Sequence, residues 1–333
     1  MNTRTYTRVN EDFLDDHQID VRNDVDIYEI VQNEVEALLN DEDVSIDLCD
    51  LPDAYYKVTD RDELEQLVIK CALKYGNDCS LNWIDVSQIT NMSGLFNESF
   101  FNGDISKWDV HNVVDMSNMF DSSEFNGNIS EWDVRHVKFF NEMFAASQFN
   151  GNISAWNTQD AWEMDGMFLR SKFTGNISRW NTKKVYSMRS MFKESIFDNA
   201  ISDWNVSRVT NMSSMFRGCV FNHDISKWDV RKVNDMSNMF RNSAFNKDIS
   251  DWNTESLENA ESMFYECDFT GDISKWNLKN LQKCNYMFFN DEYDQDLSEL
   301  DINPDVHFDG MFRSCTISKN HIPKMMQNDV RCR

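Results

Sequence analysis

Residues 221–240 read FNHDISKWDVRKVNDMSNMF, and residues 245–264 read FNKDISDWNTESLENAESMF. The two stretches align without a gap, 24 residues apart. Working outward, Phe101, Phe125, Phe149, Phe173, Phe197, Phe221, Phe245 and Phe269 keep the same period, and Tyr293 takes the ninth place. Seven residues after each Phe stands Trp108, Trp132, Trp156, Trp180, Trp204, Trp228, Trp252 or Trp276. A second aromatic series, Phe120, Phe144, Phe168, Phe192, Phe216, Phe240, Phe264 and Phe288, closes at Phe312 and is opened by Leu95-Phe96. A fixed period of this length marks a repeat architecture.

Counting each leading Phe as position 1, apolar residues fall at positions 1, 5, 8, 10, 13, 16, 19 and 20, as in Phe221, Ile225, Trp228, Val230, Val233, Met236, Met239 and Phe240. This pattern is neither one long helix nor a plain alternating strand. It predicts a short bent strand that passes into a helical turn within each coil. No coil of this size buries its apolar side chains alone, so successive coils must stack, giving a repeat solenoid of about ten 24-residue coils joined by short parallel strands. Asn102-Gly103, Asn126-Gly127 and Asn150-Gly151 occupy positions 2 and 3, where a turn with positive φ is expected. Position 9 is Asp or Asn from Asp85 and Asp109 to Asn277 and Asp301. Carboxylate and amide alternate there, which fits a ladder of side-chain oxygens bonding the backbone better than a metal site. Position 23 alternates Ser with Cys219, Cys267 and Cys315, which points to a small buried slot.

The organisation expected is an acidic segment over 1–60 with one helix at 25–40, a capping helix and entry over 61–80, the coils over 81–316, and a C-terminal cap or tail over 317–333. Residues 1–20 read as mobile. The helix at 62–75 (DELEQLVIKCALKY) places Leu64, Leu67, Val68, Cys71 and Ala72 on one face, suited to covering the first coil. The formal charge is −25, and residues 1–80 hold 21 acids against 7 bases. Acidity of this size argues against nonspecific nucleic-acid binding. The start is polar, no apolar run is long enough to span a membrane, and the eight cysteines contain no CxxC pair, so an intracellular, reduced protein is expected.

The phrase from Phe221 to Val230, followed by Val233 to Phe240, resembles the BspA-like leucine-rich-repeat surface proteins, a variety first catalogued in mycoplasma lipoproteins as a domain of unknown function. The resemblance covers residues ~61–316. It implies a right-handed, leucine-rich-repeat-like solenoid with a helical N-terminal cap, used for adhesion or protein–protein contact.

In a repeat protein the constant positions make the scaffold and the variable exposed ones carry recognition. Positions 11 and 12 hold Arg135, Lys183, Lys184, Arg208, Arg231, Lys232 and Lys279, a candidate binding stripe in an otherwise acidic chain. Those bases either balance neighbouring acids or bind an acidic protein surface, with polyanion binding a third reading. The six histidines form no paired-ligand motif, and no nucleophile elbow, phosphate loop or dinucleotide fingerprint is present. The sequence therefore predicts a non-enzymatic interaction scaffold with a protein partner, no cofactor and no metal. The alternative is a structural component of a virion or cell envelope, or a surface adhesin.

Overall fold

The structure, a computed structural model, describes residues 27–44 and 47–327. The mobile lead expected over 1–20, the first two residues of the helix expected at 25–40, and residues 328–333 of the tail lie outside the described residues.

Ten successive coils are tied together by parallel bridges at position 15, running from Asn91↔Asp115 to Lys283↔His307. Among the described residues, pairing extends beyond a single bridge only near the two ends of the array. There β1 (Tyr56–Lys57) pairs with β2 (Ile84–Asp85), and β3 (Asn277–Leu278) with β4 (Asp301–Ile302), both parallel.

The helical turns expected inside each coil are replaced by another solution. Among the described residues, no helix lies between the first coil and residue 316. Positions 16–23 form a chain of turns instead, with Met119 N bonding Met116 O at 3.2 Å, Asp121 N bonding Asn118 O at 3.1 Å and Ser123 N bonding Phe120 O at 3.3 Å. The amides in between donate to the next coil: Met116 to Phe139 O (3.0 Å), Asn118 to Asn141 O (2.7 Å), Phe120 to Met143 O (2.9 Å) and Ser122 to Ala145 O (2.8 Å). An α-helix would spend every amide inside the coil. Alternation leaves every second donor free to hold the neighbour.

This alternation has a conformational cost. Positions 18 and 22 take positive φ in coil after coil, including Asn118 (57°), Ser122 (55°), Glu142 (54°), Arg170 (53°) and Glu194 (56°). A non-glycine residue resists the left-handed region, so the hydrogen bonds between coils must hold it there. By contrast Gly103, Gly127 and Gly151, where positive φ was expected, do not adopt it. Their role is close approach: a Cβ on Gly127 would sit 2.8 Å from the Phe125 ring, and one on Gly103 would overlap the Cys79 carbonyl oxygen. Position 3 carries His223 and Lys247 in later coils, so a side chain is tolerated where only the ring must give. Gly151→Ala is therefore expected to stay within about 0.5 kcal/mol of wild type. Gly103→Ala meets backbone and should cost about 1–3 kcal/mol. Urea unfolding of the two variants side by side checks this, and equal losses would contradict it.

Inside the coils, the position 8 tryptophans, one per coil from Trp108 to Trp276, are buried. Each indole N–H reaches one coil back to a backbone carbonyl, as from Trp204 to Ile177 O at 3.0 Å and from Trp108 to Leu81 O at 2.8 Å. Each of these carbonyls also accepts a backbone N–H of its own coil, as Ile177 O does from Trp180 N at 3.1 Å, so the indole adds an inter-coil bond that a Phe could not make. Phe96, Phe120, Phe144 and their successors to Phe312 are also buried and stack ring on ring. Neighbouring rings in this column are nearly parallel, as for Phe120 and Phe144 at 5.6 Å and 4°. Offset stacks of this kind add about 0.5–1.5 kcal/mol per pair beyond area burial.

The N-terminal end is covered by α1 (Ile27–Leu39) and α2 (Arg61–Tyr75), which pack together. Asp60 caps α2 by accepting from Asp62 N and Glu63 N, and Leu64, Leu67, Val68 and Cys71 form its buried face. Residues 54–58, assigned by sequence to the acidic segment, belong to the array. Ala54, Tyr56 and Val58 donate to Asn82 O, Trp83 O and Asp85 O at 2.7–3.0 Å. The signal was missed because this half-coil lacks the Trp and Met-Phe marks. At the other end Ile317, Ile322, Pro323 and Met326 are buried, and Leu297 N donates to His321 O at 2.8 Å.

Candidate binding surface

Up to three side-chain turns shape a coil, fewer where position 4 is Ala200 or position 15 is Phe139, Glu163, Ser187, Lys283 or His307. At position 9, Asp109, Asn157, Asn181 and Asn205 each accept from the amide two residues on, at 3.1–3.2 Å. Position 4 does the same, as Asp224 does for Ser226 N at 2.8 Å, and so does position 15, where Asp235 accepts from Ser237 N at 2.8 Å. Much of the chain's acid is thus spent on turns. Among the described residues no group of three His, Cys, Asp or Glu is arranged to hold a metal ion. The position 23 cysteines are buried structural parts: Cys219 and Cys267 donate to Phe197 O and Phe245 O at 3.4 and 3.3 Å. Burial pushes the Cys267 thiol up to about 12.

The turn at position 9 sets the direction of positions 11 and 12. With Val206, Val209, Val230 and Val233 buried at positions 10 and 13, the two residues between must face outward. Arg135, Lys183, Lys184, Arg208, Arg231, Lys232 and Lys279 are all exposed. Position 12 forms a real column, because Asp160 meets both His136 from the coil before (3.3 Å) and Lys184 from the coil after (2.6 Å). The Lys184 ammonium holds the Asp160 carboxyl below the usual carboxylate range.

The expected stripe is thinner than its sequence suggests. Arg135 pairs with Asp133 (2.8 Å), Arg231 with Asp229 (2.7 Å) and Lys279 with Asp301 (2.8 Å). Lys183, Arg208 and Lys232 form no ion pair among the described residues. These three occupy successive coils, so the positive field concentrates on residues 183–232.

Two aromatic side chains that the sequence reading overlooked border this patch. Trp162 and Tyr186, both at position 14, are 39% and 40% exposed. Tyr186 N bonds Trp162 O at 2.9 Å, which places them on adjacent coils. Lys138 lies 4.4 Å over the Trp162 ring, and Phe139 meets that ring edge-on at 6.1 Å. The Tyr186 hydroxyl donates to Glu163, which pushes its pKa up to about 12. The signal was available: position 14 follows a buried position 13, so an aromatic there must face out. A second run of bases at position 21, Lys193, Arg217 and Arg241, is half-buried, with Arg241 stacked 4.0 Å over Tyr265.

The family described as Mycoplasma protein of unknown function, DUF285, has a model that matches residues 63–174, 162–269 and 220–325. The chain belongs to this family. Together the DUF285 matches run from α2 across every coil to the C-terminal cover, so the candidate surface lies within the family's repeat region. No curated protein and no solved structure matches the chain. No described helix of this DUF285 chain is long and apolar enough to cross a membrane.

Proposed function

We propose that this DUF285 chain is a non-enzymatic scaffold, a right-handed leucine-rich-repeat-like solenoid of the BspA-like kind. In this reading it binds an acidic protein surface across positions 11, 12 and 14 of the coils spanning residues 138–232. The observation that carries the reading is the exposed pair Trp162 and Tyr186 beside Lys183 and Arg208. Exposed Trp and Tyr next to cations have the composition of a binding hot spot. Rigid rings lose little entropy on contact, while unpaired cations select an acidic partner and speed encounter.

Affinity capture from native lysate tests this, with wild type run beside two variants. One carries Lys183→Glu, Arg208→Glu and Lys232→Glu, and the other Trp162→Ala with Tyr186→Ala. An acidic partner retained by wild type and lost by both variants is the expected result, with a loss of about 2 kcal/mol or more for the aromatic pair. Identical captures from all three would return these bases to charge balance and overturn the proposal.

A further inference from the structure

Over positions 16–22 the hydrogen bonds between coils all run one way. Cys284, Tyr286, Phe288 and Asn290 N donate to His307, Asp309, Met311 and Arg313 O of the following coil at 2.8–3.1 Å, and earlier coils do the same. This stretch therefore ends in acceptors at the first coil and in donors at the last. The first end is closed. The helical cap covers it, and Arg61 Nη2 in α2 donates to Ser93 O at 2.6 Å. The last end is open: Phe308, Gly310, Phe312 and Ser314 N have no hydrogen-bond partner among the described residues. The C-terminal cover returns over positions 2 and 5 instead, where Ser318 N bonds Asp294 at 3.1 Å and Leu297 N bonds His321 O at 2.8 Å. Backbone N–H groups turned to one side favour anionic oxygens, and an unmatched edge is a template for association.

Anionic oxygens are concentrated at the other end of the same chain. Residues 27–60 hold ten acids and one base, whereas the cover over 317–327 holds Lys319 and Lys324 and no acid. Both ends also leave apolar side chains in the open. Leu73 on α2 is 80% exposed and Ile69 one turn before it is exposed too, while Met325 is exposed and Phe308 half-buried at the C-terminal end. We propose that the protein associates head to tail, the acidic N-terminal cap of one copy seated on the C-terminal donor edge of the next. Carboxylates of the cap take the open amides, Lys319 and Lys324 add to the attraction, and the contact covers Ile69, Leu73 and Met325. The two faces differ, so the contact is heterologous and does not stop at two copies.

Sedimentation velocity of the full-length protein over a wide concentration range tests this, at low and at high salt. Wild type is expected to grow past the dimer as concentration rises, and to dissociate as salt screens the charges. Phe308→Pro deletes one donor that Phe308→Ala keeps, so the proline variant should associate on the order of 10-fold more weakly than the alanine variant. Two further variants each spoil one end through exposed side chains. One carries Lys319→Glu and Lys324→Glu, the other Glu42→Lys, Asp43→Lys and Leu73→Lys. Each should stay monomeric alone, and their mixture should form a two-copy complex and grow no further, because one intact face of each kind remains. Wild type that is monomeric at every concentration, equal association of the proline and alanine variants, or assembly of either end variant alone would overturn the proposal.

Discussion

Trp204→Ala is expected to cost about 3–5 kcal/mol of stability, while Lys184→Ala stays within about 0.5 kcal/mol. Trp204 is 3% exposed in a central coil, and its indole N–H bonds the Ile177 carbonyl of the coil before at 3.0 Å. Truncation leaves a cavity flanked by the Phe192 ring, which lies 6.2 Å away centroid to centroid, and removes an inter-coil hydrogen bond, leaving the Ile177 carbonyl with only the Trp180 amide at 3.1 Å. Coils on both sides are held in register by hydrogen bonds and cannot collapse into the gap without breaking them. Lys184 is also paired, with Asp160 at 2.6 Å, but that pair is half-exposed on the surface, where ion pairs contribute little. Urea unfolding of both variants reads the difference directly. Comparable losses would contradict the assignment of inside and outside.

Asp291→Ser is expected to stabilise the protein at pH 8 by about 4 kcal/mol and to have little effect near pH 4. Asp291 occupies position 23, where the other coils place Ser or Cys, and it is 1% exposed with neither carboxyl oxygen in a well-formed hydrogen bond. Burial raises its pKa from 3.8 to about 7, and the backbone N–H groups of Glu292 and Phe269 offset this only in part. A carboxyl whose pKa is higher folded than unfolded binds its proton more tightly in the native state. Its contribution is therefore complete below pH ~4, declines by about 1.4 kcal/mol per pH unit between about 4 and 7, and is level above. A serine there has precedent: Ser147 donates to Phe144 O at 3.1 Å, and its hydroxyl accepts from Phe149 N at 3.3 Å. The measurement is the difference in unfolding free energy between wild type and Asp291→Ser from pH 4 to pH 8. Subtraction removes the opposing effect of surface acids such as Asp160 and Asp229, whose pKa values are lowered by Lys184 and Arg231. A difference that does not change with pH would contradict the account.

The interior of the array is legible in the sequence because burial selects one residue type per position and the period repeats it ten times. Trp at position 8 carries both volume and a donor, so its column is plain from Trp108 to Trp276. Position 9 is also readable, since Asp and Asn share the oxygen that a turn needs. Other features leave little trace. Positive φ at positions 18 and 22 is borne by Asn, Ser, Glu, Ala, Arg and Gly alike, because hydrogen bonds from the next coil impose it and no residue preference reports it. The Asn-Gly pairs misled, since Gly127 is there to make room for the Phe125 ring. The basic stripe was visible as composition, but its partial neutralisation depends on partners two, 22 or 24 residues away, which the coil geometry brings together.

The central claim is that one 24-residue register both ties the coils together and turns positions 11 and 12 outward, free for recognition. Amide hydrogen exchange read by NMR tests it most directly. The account predicts strong protection at Met188, Ser190, Phe192, Met212, Ser214 and Phe216, whose amides donate to the next coil at 2.8–3.0 Å. It predicts fast exchange at Lys184 and Arg208 of the same coils and at Lys232 of the next. Protection at those three equal to that of the inter-coil amides, or fast exchange at both sets, would contradict it.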